Sequence, residues 1–103
     1  MKTKELSWKR ARVRREDDGT IRKTWETRCQ RHQIEVFESV GGVQVVPRGT
    51  RLSGDLHHYH YQVFYLLEQQ ATPDKNLVHW RIVSRHRTKV AAEKACQKHA
   101  RGK

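Results

Sequence analysis

SRHRTKVAAEKACQKHARGK, residues 84–103, reads as the end of a strand, a turn and one helix. Thr88 is a good N-cap, since its hydroxyl can accept a hydrogen bond from an N–H of the first turn that has no partner within the helix. Beyond it Ala91, Ala92, Ala95, Cys96 and His99 form one stripe, and Lys89, Glu93, Lys94, Gln97, Lys98 and Arg101 form the other. That is the period of an amphipathic helix. An inner stripe made mostly of alanine lets the helix approach its neighbour closely, so the bulk of the core has to come from the layer beneath. The fold then depends on what the upstream chain supplies.

It supplies strands. LVHWRIVSRH (77–86) alternates Val78, Trp80 and Ile82 against His79, Arg81 and Arg85, and ATPDKN before it is a turn. HHYHYQVFYLLEQQ (57–70) reads as one long strand. Tyr59, Tyr61, Val63, Tyr65 and Leu67 share one face of it, and His58, His60, Gln62 and Phe64 share the other. PRGTRLSGDL (47–56) has the Pro, Gly, Ser and Asp content of a loop. QIEVFESV (33–40) gives a strand with Ile34 and Val36 inward, followed by Gly41-Gly42 and a short VQVV segment. At the start, residues 6–15 and 21–30 flank EDDGT, and Asp-Gly between β-prone runs signals a hairpin. The expectation is a single α+β domain over residues 1–103, with residues 1–5 and 102–103 frayed. It has an antiparallel sheet of four to five strands and one C-terminal helix packed on one face. One helix covers one face only, so part of the three Trp and three Tyr should remain on the open side.

Charge narrows the function. The net charge is +11, and it is unevenly placed. Residues 1–23 hold nine Lys/Arg against four acids, residues 24–84 six against six, and residues 85–103 seven against one. A solubility surplus would be spread along the chain, whereas a polyanion-binding surface concentrates it. No apolar run approaches the ~20 residues of a membrane helix, and the N-terminus lacks the apolar core of a signal peptide. The expected location is therefore cytoplasmic, or nuclear in a eukaryotic host, with no membrane partner, and in such a compartment Cys29 and Cys96 are expected to be reduced thiols or metal ligands rather than a disulfide.

The basic ends suggest two rows. WKRARVRR places Trp8, Arg10, Arg12 and Arg14 on one strand face, with Arg22 across the hairpin. Arginines at every second residue span roughly 13 Å, long enough to follow phosphates spaced ~3.4 Å along a strand. RHRTK gathers Arg85, Arg87 and Lys89 at the helix start, where free N–H groups and the positive dipole end favour phosphate. Lys94, Lys98 and Arg101 continue along the outer stripe. If the ends meet in space, they form one basic face, and the expected partner is nucleic acid, RNA or DNA.

The segment TKVAAEKAC resembles the last helix of the double-stranded RNA-binding domain, with its Ser/Thr-Lys start and Ala-rich inner stripe. That likeness implies that Lys89 and Lys94 face phosphates across a groove. It covers about fifteen residues. The first helix of that family has no counterpart in residues 1–15, and its Gly-Pro-x-His loop is missing. The arm-type DNA-binding domains of integrases, which set one helix behind three strands and read DNA with the sheet, are a second resemblance. In size and charge the chain also resembles products of phages and mobile elements.

Two other constellations bear on chemistry. Cys29-x-x-His32 and Cys96-x-x-His99 together make a two-Cys, two-His set suited to zinc. The preferred reading is nevertheless a packed thiol and no cofactor, since a structural site usually contains a Cys-x-x-Cys or His-x-x-x-His pair. His57, His58 and His60 cluster in HHYH with only Asp55 nearby. A hydrolase needs a carboxylate or metal to orient its water, so the chain reads as a non-enzyme. The alternative to direct nucleic-acid binding is an accessory or inhibitor protein that docks on a larger protein or ribonucleoprotein through its neutral, aromatic middle.

Overall fold

The computed structural model describes residues 8–28, 31–54, 58–70 and 78–101. Among the described residues seven strands precede one helix: β1 (Trp8–Arg15), β2 (Ile21–Thr27), β3 (His32–Val40), β4 (Val43–Val46), β5 (Tyr59–Tyr61), β6 (Phe64–Gln70), β7 (His79–His86) and α1 (Lys89–Arg101). The α+β class and the C-terminal helix are as expected. Among the described residues the sheet differs in having seven strands, and in being mixed rather than antiparallel.

The β1–β2 and β3–β4 hairpins follow from their turn residues. Between β1 and β2 the Gly19 N–H donates to the Glu16 carbonyl at 3.1 Å and the Glu16 N–H to the Thr20 carbonyl at 2.8 Å. Gly19 closes this turn at φ +89°, a backbone region open to glycine at no steric cost. Gly41 and Gly42 both take positive φ in the two-residue loop between Val40 and Val43, as a type I′ hairpin requires. The Gly41 N–H donates to the Thr20 hydroxyl at 3.0 Å, tying the two hairpins together.

The extra strands arise from a shared edge. β3 pairs with β4 at Ser39–Val40 and with β6 at His32–Glu35, antiparallel in both cases. Pro47 has no N–H to continue the ladder, so β4 stops at Val46 and the rest of that edge is open to another strand. The expected long strand of residues 57–70 first runs parallel to β4 as β5. The Gln62 N–H donates to the Val46 carbonyl at 2.8 Å. The chain then steps inward as β6 to take β3 itself. One period-2 segment thus becomes two strands, and the parallel pair is the consequence.

α1 packs on β6, β7 and β3. The Thr88 hydroxyl accepts from the Ala91 N–H at 3.1 Å, the expected N-cap. Ile34, Leu66, Ala92 and Cys96 are fully buried between helix and sheet, and Trp8, Trp25, Phe64, Val83 and Ala95 pack around them. The alanines and the thiol let the helix sit close, as their size implies, while Ile34, Leu66 and the aromatics fill the volume. No helix among the described residues is long and apolar enough to cross a membrane.

Candidate functional site

The side of the sheet away from α1 is uncovered by any described element. Strand alternation sends Arg12 and Arg14 of β1, Arg22, Thr24 and Glu26 of β2, Gln33 and Glu35 of β3, Leu67 and Gln69 of β6, and Trp80 of β7 to one open depression. Beside it a second recess of ≈ 450 Å³ is lined by Phe37, Val45, Arg48, Tyr61, Val63 and Tyr65, among others. Phe37 and Tyr65 meet edge-to-face with centroids 6.4 Å apart. The Arg85 guanidinium lies 5.8 Å from the Tyr65 ring centre, and that of Arg48 5.7 Å from the Tyr61 ring centre.

The expected arginine row is broken. The β1–β2 register runs Trp8↔Thr27 and Arg10↔Trp25, then jumps to Arg12↔Thr24 and Arg14↔Arg22. Ala11 is the extra residue of a β-bulge, and one extra residue reverses which face the following side chains take. Trp8 therefore packs against the core on the helix side, while Arg12 and Arg14 join the open face. On the open face the two basic ends stay apart: along the path β1-β2-β3-β6-β7, Arg12 and Arg14 on β1 and Arg85 on β7 lie at opposite edges, four strand spacings or about 19 Å apart. On the helix side Lys89 comes within 5.0 Å of the Trp25 ring centre, and Trp25 is the strand partner of Arg10. Arg12, Arg14 and Arg22 line one side of the open face and Arg85 the other, with aromatic and polar side chains between them.

The remaining basic positions divide between surfaces. Lys94 and Lys98 are exposed on the outer side of α1, and Arg87 is exposed just before it. Lys89 is engaged: its ammonium sits 5.0 Å from the Trp25 ring centre and 3.5 Å from Glu93 Oε1. The side chains of Arg10 and Arg101 lie outside the described set, as do Cys29, Asp55 and His57.

Electrostatics on the open face are dense. Arg14 and Arg22 lie directly opposite each other, a like-charge pairing that costs stability in a sheet. Partial relief comes from Glu16, 2.8 Å from Arg14 Nε, and from Glu35, 3.7 Å from Arg22. Burial pushes the Glu35 carboxyl above its ordinary range, against the opposing pull of Arg22. Basic residues on an edge strand are often there to prevent edge-to-edge aggregation, and that would explain β1 alone. It does not explain Arg22, which is on an interior strand and faces the same way.

A second cluster lies on the helix side. His32 Nε2 is 3.2 Å from His99 Nδ1, and Glu68 Oε2 is 3.4 Å from His99 Nδ1 and 3.7 Å from His32 Nε2. Arg81 donates to the other carboxylate oxygen of Glu68 at 3.1 Å. His32 and Glu68 are buried. Two members of the expected zinc set, His32 and His99, therefore do meet. Cys96 instead belongs to the apolar core and is not part of the cluster of ligand atoms. Glu68 escaped the sequence reading. Its signal was an acid at the third position of the inward series Phe64, Leu66, Glu68, where an apolar residue would be the default. Among the described residues, His58 and His60 join no comparable cluster.

No protein-family model, curated protein or solved structure matches this chain.

Proposed function

We propose that this protein binds nucleic acid as a single strand laid across the open face of its sheet. The observation that carries this reading is the convergence of Arg12, Arg14 and Arg22, drawn from two strands despite mutual repulsion, on a face that no described element covers, with Trp80 at its far side and Phe37, Tyr61 and Tyr65 in the adjoining recess. Guanidinium groups suit phosphate, and open aromatic rings suit bases whatever their sequence. On this reading the backbone follows the β1–β2 arginines, bases stack toward Trp80, Tyr65 and Tyr61, and Arg85 closes the far side. The helix-start reading, in which Lys89 and Lys94 grip a duplex, receives less support because Lys89 is held between Trp25 and Glu93. Binding of bare single-stranded and duplex RNA and DNA, compared at low salt, tests the proposal. It expects single strands to bind more tightly than duplexes, and equal or weaker binding of single strands overturns it.

A second reading has its own support. Ile82 is 50% and Val78 55% exposed beside Trp80, an apolar patch that suits docking on a protein. An accessory protein of a larger nucleoprotein would bind its protein partner and leave bare oligonucleotides unbound.

A further inference from the structure

The three atoms His32 Nε2, His99 Nδ1 and Glu68 Oε2 form a triangle with edges of 3.2, 3.4 and 3.7 Å. Each carries a lone pair that can point inward. A tetrahedral metal ion with ligand bonds of about 2.0–2.1 Å holds its donor atoms about 3.3–3.4 Å apart. The triangle already has nearly those dimensions. We propose that His32, Glu68 and His99 form a binding site for a tetrahedral divalent metal ion of the zinc class. Two imidazoles and a carboxylate suit zinc better than magnesium or calcium, which take oxygen ligands at higher coordination number. Three protein donors leave the fourth position to water.

The placement gives the ion a structural role. His32 lies on β3, Glu68 on β6 and His99 in the last turns of α1, so one ion would fasten the far end of the helix to two central strands. Arg81 holds Glu68 through Oε1 at 3.1 Å, which aims Oε2 at the histidines, as outer partners of ligating carboxylates do. Its positive charge opposes a cation, but the Arg81 side chain is 54% exposed, so solvent screens much of that repulsion. Metal ligands must be deprotonated, so metal binding should weaken as pH falls. The cluster lies on the opposite side of the sheet from the arginines, so this inference stands independently of the nucleic-acid reading.

The test uses the full chain purified without an affinity tag. Calorimetric titration with zinc should show one tight equivalent, and Co2+ in its place should give the intense visible bands of a tetrahedral centre. His99→Ala, on the partly exposed partner, should weaken zinc binding at least ~100-fold and abolish any zinc-induced rise in Tm. Should the buried His32→Ala variant fail to fold, the Co2+ spectrum of the unaltered protein and His99→Ala still decide the matter. The double variant of His58→Ala and His60→Ala, which removes an exposed histidine pair, should bind zinc as the parent does. The proposal is overturned by weak octahedral Co2+ bands, by undiminished binding in His99→Ala, or by loss of binding in the His58/His60 variant.

Discussion

Replacing Arg12 and Arg14 together by Ala removes two guanidinium groups from the open face and leaves the rest of it intact. That face presents five arginines: Arg12, Arg14, Arg22, Arg48 and Arg85. If each neutralises one phosphate of a single strand, the slope of log K against log salt is about −3.5, at about −0.7 per contact. The double variant should show about −2.1. Counted from a 1 M reference, each contact is worth about 0.7 log unit at 0.1 M salt. The loss is then about 25-fold at 0.1 M and only about 3-fold at 0.5 M. Both side chains are exposed, so stability should change by no more than about 0.5 kcal/mol. Removing Arg14 even relieves its like-charge contact with Arg22. Anisotropy of a labelled oligonucleotide over a salt series reads both slope and affinity. The double variant of Lys94→Ala and Lys98→Ala takes the same charge from the outer side of α1 and is the control. Equal losses in the two double variants would mean that only total charge matters, and an unchanged slope in the arginine variant would refute the placement.

The remaining expectations concern the scaffold. Burial raises the Glu35 carboxyl, so the folded state holds that proton to higher pH than the unfolded chain does. The resulting stabilisation is full below the ordinary carboxylate value and is lost as pH rises through the folded one. Glu35→Gln should therefore gain stability over the parent at neutral pH, with the gain shrinking in acid, in urea unfolding at several pH values. The same change frees Arg22 and should tighten oligonucleotide binding. Leu66→Ala, at a fully buried core position, should cost about 2–5 kcal/mol, read as a lower urea midpoint. Thr88→Ala removes the N-cap acceptor of the Ala91 N–H and should cost about 1 kcal/mol.

What the sequence disclosed was local chemistry. The positive-φ demands at Gly19, Gly41 and Gly42 are written into EDDGT and VGGV, and the helix with its Thr88 cap into TKVAAEKAC. Ile34 and Val36 pointed inward by alternation alone, and both are buried. What stayed hidden depended on pairing between distant segments. The bulge at Ala11 appears only in register against β2, and it separates Trp8 from the arginines that follow. The break at Gln62–Val63 depends on where Pro47 ends β4, far upstream in the chain. The histidine cluster was half legible: the helical period placed His99 inward and Cys29-x-x-His32 drew attention to His32, but Glu68 entered through the β3–β6 register.

Tryptophan fluorescence tests the open-face claim most directly, because the three tryptophans divide between the two sides of the sheet. Trp80 lines the open face, while Trp8 and Trp25 pack toward α1, with Lys89 over Trp25. A base stacking on the open face quenches Trp80 and leaves the other two alone, whereas a strand gripped at the helix start would disturb Trp25. Titration with a single-stranded oligonucleotide should therefore quench the parent and the Trp25→Phe variant alike, and leave Trp80→Phe unquenched. Quenching that survives in Trp80→Phe and disappears in Trp25→Phe would place the nucleic acid on the helix side and contradict the account.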